Sequence, residues 1–85
     1  MNTQTMNREA IEEKLIPIIV ERLNVSAEEV NASAHFANDL GADSLDQVEL
    51  VMELEKQFNI QIEDDQAAKL QTVGSVIEYL ERVLA

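Results

Sequence analysis

Eighty-five residues support one hydrophobic core and leave no room for a second domain. Seventeen Asp and Glu against six Lys and Arg give a formal net charge of -11, which repels nucleic acid and anionic membrane surfaces and points to basic protein partners. Cysteine is absent, which excludes disulfides, thiolate metal sites and a cysteine nucleophile, so any thiol chemistry requires an imported thiol.

Residues 1–6 are polar and uncharged apart from their methionines and are expected to form a flexible segment ahead of a single domain over 7–85. The longest apolar run, Leu15 to Val20, is six residues and contains Pro17, too short for a membrane span or a secretory core. The expected protein is therefore cytoplasmic, with no stable membrane association.

Ile11, Leu15, Ile18, Ile19 and Leu23 recur at helical spacing and predict a first amphipathic helix, with Asn7 as its N-cap and Glu9 in its first turn. Pro17 removes a backbone donor and crowds the carbonyl of Glu13. A kink over Glu13 to Pro17 is expected, the competing arrangement being a separate helix that starts at Ile16 or Pro17.

No period is sustained from Asn24 to Asp43, which reads as a long loop. Ser26 to Glu29 has the form of a capping box that can open a single turn, and Val30, Phe36 and Leu40 are expected to anchor the loop, with Phe36 plugging the bundle. Gly41 permits a positive φ or a close approach just before the next helix. His35, the one histidine, is expected to face solvent.

Ser44 to Phe58 contains neither Gly nor Pro and places Leu50, Val51, Leu54 and Phe58 on one stripe, predicting the second helix. A short turn with Ile60 and Ile62 directed inward leads to a brief third helix over Asp64 to Leu70. Thr72 caps a fourth, Val73 to Leu84, whose inward residues are Val76, Ile77, Leu80 and Val83 or Leu84. The fold class is all-α, a four-helix bundle with a long first loop and a short third helix.

Three readings compete for Ser44. With Gln47 three positions on, it can cap the second helix. As a hydrolytic nucleophile it lacks a Gly-x-Ser-x-Gly elbow, and His35 is the only available imidazole base. As the acceptor of a phosphodiester it is aptly placed, since a helix N-terminus offers free N–H groups and positive partial charge to an anion. Asp43 and Asp46 repel such a phosphate but suit a modifying enzyme that binds through basic residues and a divalent ion.

Beyond Ser44, Asp46, Glu49 and Glu53 share one helical face opposite Leu50 and Leu54, and Leu45, Val48 and Met52 flank them. An apolar strip with a charged rim has the make-up of a docking surface, although Val48 and Met52 suit simple core packing equally well.

The segment Leu40-Gly41-Ala42-Asp43-Ser44-Leu45-Asp46, continuing through Val48-Glu49-Leu50-Val51-Met52-Glu53-Leu54-Glu55, resembles the acyl carrier proteins, and the resemblance extends from about Arg8 to Leu84. It implies a 4'-phosphopantetheine group, drawn from coenzyme A, on Ser44, with acyl chains carried as thioesters on its terminal thiol. The chain is then no enzyme but a substrate of holo-acyl carrier protein synthase and of fatty acid synthesis enzymes with basic docking patches.

The same resemblance implies partner contacts through Asp43, Asp46, Glu49 and Glu55, and through Asp64 and Asp65. Added to Leu45, Val48, Met52 and Glu53 from the helical face, these make up the expected partner surface. A monomer suits a carrier that visits many enzymes, and Leu54, Ile62, Ala67, Ala68 and Leu70 are expected to shelter its cargo. Pro17, Lys56 and Glu63 depart from the family's pattern without touching the motif.

Two alternatives stand beside this reading. One is a carrier for a polyketide, nonribosomal or other specialised pathway. The other is an acidic interaction or divalent-cation-binding module without a prosthetic group, although Asp39, Asp43 and Asp46 do not follow EF-hand spacing.

Overall fold

A computed structural model describes residues 7–84. The segment over residues 1–6, expected to be flexible, lies outside the described residues.

Asn7 opens the first helix, α1 (Arg8–Leu23), its side-chain oxygen accepting the Ala10 N–H at 2.8 Å. Glu9 complements the positive end of the helix and Arg22 the negative end. The helix runs unbroken through Pro17, so no separate helix begins at Ile16 or Pro17. Glu13, whose carbonyl loses its usual donor, and Pro17 both lie on the exposed face, where water can satisfy that carbonyl. The chain leaves α1 at Asn24 in the left-handed conformation, φ 56°.

The predicted loop contains one 3-10 turn, Ala27–Glu29, closed by the Ser26 and Glu29 capping box. Val30, Phe36 and Leu40 are buried as expected, together with Ala34 and Ala42. What the sequence does not reveal is how the loop is held. Phe36 N–H donates to Gln71 O at 3.0 Å, Val73 N–H to Ala34 O at 3.0 Å and Gly74 N–H to Ala32 O at 2.8 Å. These bonds stitch the loop to the start of the last helix around an isolated antiparallel bridge between His35 and Thr72.

Gly74 makes this stitch possible, because a Cβ there would stand 2.8 Å from the Ala32 carbonyl oxygen. His35 is accordingly half-buried, not solvent-facing as expected. Its Nδ1 accepts the N–H groups of Ala37 and Asn38, each at 3.3 Å, while Asp39 accepts the His35 N–H at 2.7 Å.

Helix α2 (Ser44–Phe58) buries Leu50, Leu54 and Phe58, keeps Val51 half-buried, and ends at Asn59, again with φ 56°. Ile62 is buried in the connection that follows. Helix α3 (Asp64–Ala67) is shorter than the expected Asp64 to Leu70. Glu63 provides no side-chain cap, and the chain tightens through Lys69 N–H to Gln66 O and Leu70 N–H to Ala67 O as Leu70 turns into the core.

Helix α4 (Val73–Val83) is capped by the reciprocal bonds of Thr72 and Ser75 and buries Val73, Val76, Ile77 and Leu80. Of the two alternatives for its last inward residue, Leu84 packs against the core and Val83 is exposed. Among the described residues there is no strand, and the four helices form the predicted all-α bundle.

Helix α1 packs on both α2 and α4, and three of its cations reach across these seams. Arg22 meets Glu53 at 2.7 Å, Arg8 meets Glu81 at 3.5 Å, and the Lys14 ammonium stands 5.1 Å from the centre of the Phe58 ring. A strongly acidic chain thus spends half of its six basic residues on the helix that holds α2 and α4 together.

Candidate functional site

The loop that precedes α2 is closed before the helix begins. Ala42 N–H donates to Phe36 O at 2.8 Å, Ala42 is buried, and Gly41 turns the chain with φ 72° and open space where a side chain would stand. Asp43 then caps the helix. Its Oδ1 accepts the Asp46 N–H at 2.8 Å, and Asp46 Oδ2 accepts the Asp43 N–H at 3.1 Å.

Of the readings open to Ser44, the cap with Gln47 is therefore not the one formed, and the cap lies one residue earlier. Asp43 also has a capping side chain, and its charge interacts more favourably with the helix dipole than a neutral hydroxyl does. Ser44 becomes the first helical residue, exposed, and its hydroxyl makes no hydrogen bond among the described residues. A serine that neither caps nor packs is free for chemistry.

The expected partner residues separate into three environments. Leu45, Val48 and Met52 are 64%, 55% and 60% exposed, which excludes core packing for Val48 and Met52 and leaves an apolar strip along α2. Glu49, Asp64 and Asp65 are exposed beside it, and Asp43 and Asp46 combine charge with the capping role.

Glu53 and Glu55 are engaged internally. Glu53 accepts hydrogen bonds from Gln57 and from Arg22, each at 2.7 Å, and these hold its carboxyl below the ordinary glutamate value, the Gln57 bond contributing most and Arg22 adding to it. Glu55 Oε2 accepts the Ile62 N–H at 2.8 Å and so fixes the turn that leaves α2.

Beside Ser44 a groove of about 390 Å³ opens between α2 and α3, within the size range of small-molecule sites. Ile62, Ala67 and Ala68 line it as expected for a cargo shelter, and Val48, Val51 and Met52 complete its apolar wall. Leu54 and Leu70 do not reach this groove. They line a smaller cavity of about 20 Å³ behind it, with Phe36, Leu50 and Val76.

Gln47, Val51 and Ala67 border both spaces. The part of Gln47 and Val51 was not legible from the core stripe, although their i, i+4 spacing on the same face as Ser44 was the available signal. Among the described residues no three His, Asp or Glu side chains gather closely enough to hold a metal ion.

A short helical bundle that presents one unengaged serine at a helix start, beside an apolar groove and an acidic rim, defines a carrier domain better than an active site. The family model described as "Phosphopantetheine attachment site" matches residues 13–80. The acyl carrier protein of Porphyromonas gingivalis is 55% identical over 74 residues, covering 87% of this chain and 95% of that protein. That of Amoebophilus asiaticus is 55% identical over 75 residues, covering 88% and 94%, and that of Akkermansia muciniphila is 51% identical over 78 residues, covering 92% and 98%.

The chain belongs to the acyl carrier protein family. The residues present fit the prosthetic group of that family, since the Ser44 hydroxyl is accessible and the adjoining groove has apolar walls with a polar rim.

Proposed function

We propose that Ser44 is the residue that carries 4'-phosphopantetheine, making the chain a carrier of growing fatty acyl groups. The observation that supports this reading is the exposed Ser44 hydroxyl, without a partner among the described residues, at the mouth of the groove. The prosthetic group supplies a thiol on which acyl groups are held as thioesters.

The chain's own residues bind and present. Asp43 and Asp46 fix the start of α2 and so the direction in which Ser44 projects, while Glu49, Asp64 and Asp65 add negative charge around it. This rim suits basic patches on holo-acyl carrier protein synthase and on fatty acid synthesis enzymes, and Leu45, Val48 and Met52 supply the apolar centre of that contact. Glu53 and Glu55 act one step behind, holding α2 against α1 and fixing the turn into α3.

No helix among the described residues is long and apolar enough to cross a membrane. A cytoplasmic, monomeric carrier that is not itself an enzyme agrees with an exposed serine whose hydroxyl makes no hydrogen bond among the described residues and with an acidic surface built for transient contacts.

In this reading the cargo folds back into the groove against Val51, Ile62, Ala67 and Ala68. Each methylene removed from water contributes up to about 0.8 kcal/mol, less the entropy of ordering the chain. Reconstitution with fatty acid synthesis enzymes tests the pathway. Saturated straight chains should accumulate on the protein, whereas chains that keep every 3-oxo group would assign it to a polyketide route.

A further inference from the structure

The groove beside Ser44 and the smaller cavity behind it share three bordering residues, Gln47, Val51 and Ala67. Val51 and Ala67 are apolar, as are all the other residues of the inner cavity. Among the described residues Gln47 is the one polar side chain on its wall. Its carboxamide makes a single hydrogen bond, Nε2 to Ala42 O at 3.4 Å, and Oε1 has no partner among the described residues. Gln47 is half-buried, so Oε1 still meets water through the open groove.

An apolar chain advancing from the groove must displace that water. It offers Oε1 no hydrogen bond in return, and a polar atom stripped of water without a partner opposes the burial that drives the chain inward. The inner cavity, at about 20 Å³, has room for about one water-sized sphere and must widen as methylenes pass. Short chains gain too little from burial to overcome both penalties, whereas longer ones gain more with every methylene.

We propose that Gln47 is a specificity-determining residue at the throat between the two spaces, setting the length at which a saturated acyl chain passes from the outer groove into the inner cavity. This rests on the reading that cargo attached at Ser44 folds back into the bundle, and it identifies the residue that divides shallow from deep cargo. Short chains remain in the outer groove, near Val48 and Met52 and within reach of partners. Long chains lie against Leu54 and Leu70, withdrawn from them.

The test loads the full chain with a series of saturated acyl groups from butanoyl to tetradecanoyl, each labelled with carbon-13 at its terminal methyl. Nuclear Overhauser contacts from that methyl are read to the side-chain methyls of Val48, Met52 and Ile62 in the groove and of Leu54 and Leu70 in the cavity. In the parent, contacts should move from the first set to the second at a definite chain length.

Gln47→Met keeps the length of the side chain and removes its polar atoms, so the crossing should come about two methylenes earlier, the number whose burial offsets one stranded polar group. Gln47→Glu keeps the shape and adds charge, so the crossing should come later or fail. Opposite shifts from two near-isosteric variants separate a throat residue from one that merely stabilises α2, which would move every chain length alike.

If outer-groove contacts appear and both variants cross at the parent's length, the throat assignment is wrong and the sheltering of cargo stands. If the terminal methyl contacts neither set at any length, the sheltering reading falls and the role of Gln47 with it.

Discussion

Asp43 and Asp46 cap each other, each carboxylate accepting the other's backbone N–H at 2.8 and 3.1 Å, and by doing so they release the serine between them. The acids beside Ser44 are thus structural as well as electrostatic, and the two roles predict different consequences for neighbouring substitutions.

Asp43→Ala should destabilise the fold by about 0.5 to 2 kcal/mol, the usual range for loss of an N-cap, whereas Ser44→Ala should remain close to the parent. Urea unfolding of the two variants checks this. A larger loss from Ser44→Ala than from Asp43→Ala would return the cap to the serine.

Docking is best tested at Glu49, which is exposed, because charge reversal at Asp46 also breaks the capping box. Glu49→Lys should leave thermal stability nearly unchanged, lower the association rate with the modifying enzyme, and lose most of that effect as salt rises. Equal association rates for variant and parent at low ionic strength would remove Glu49 from the docking face.

The core was legible in the sequence because its signals are local. Leu50, Leu54 and Phe58 follow the helical period, and Val30, Phe36 and Leu40 stand out as isolated apolar residues in a polar loop. The features that escaped depend on residues far apart in the chain. Gly74 is required by a carbonyl at Ala32, and His35 is drawn inward by its bridge to Thr72.

Glu53 is likewise turned toward Arg22, which no pattern within α2 foretells. The cap was ambiguous for another reason. Asp43 and Ser44 are both good capping residues, and only the register of the loop closed by Ala42 chooses between them. The serine itself was legible through the long motif around it, while the groove was visible only in part, since Leu54 and Leu70 proved to lie behind it.

The Glu53 carboxyl is held below its ordinary value by Gln57 and then Arg22, so on acidification the unfolded chain takes up that proton first. Its contribution to stability should be complete above the ordinary glutamate value of about 4.3 and fade as pH falls through the lower folded value. The stability gap between parent and Glu53→Gln should therefore narrow between neutral pH and about pH 3. A gap that widens on acidification would contradict this sign.

With a formal net charge of -11 and several of its cations already committed across helix seams, the folded chain repels itself. Added salt or millimolar divalent cation should raise the melting temperature. A flat or falling response to both would show that self-repulsion is not a significant part of the balance.

The most direct test of Ser44 as the attachment point is the intact mass of the parent and of Ser44→Asn after incubation with coenzyme A and a phosphopantetheinyl transferase, with helicity of both first verified by circular dichroism. Asparagine has no hydroxyl to esterify, and because Asp43 provides the cap, the variant should remain helical. The parent should gain the mass of one phosphopantetheine group and the helical variant none. An equal mass gain on folded Ser44→Asn, or none on the parent, would contradict the account.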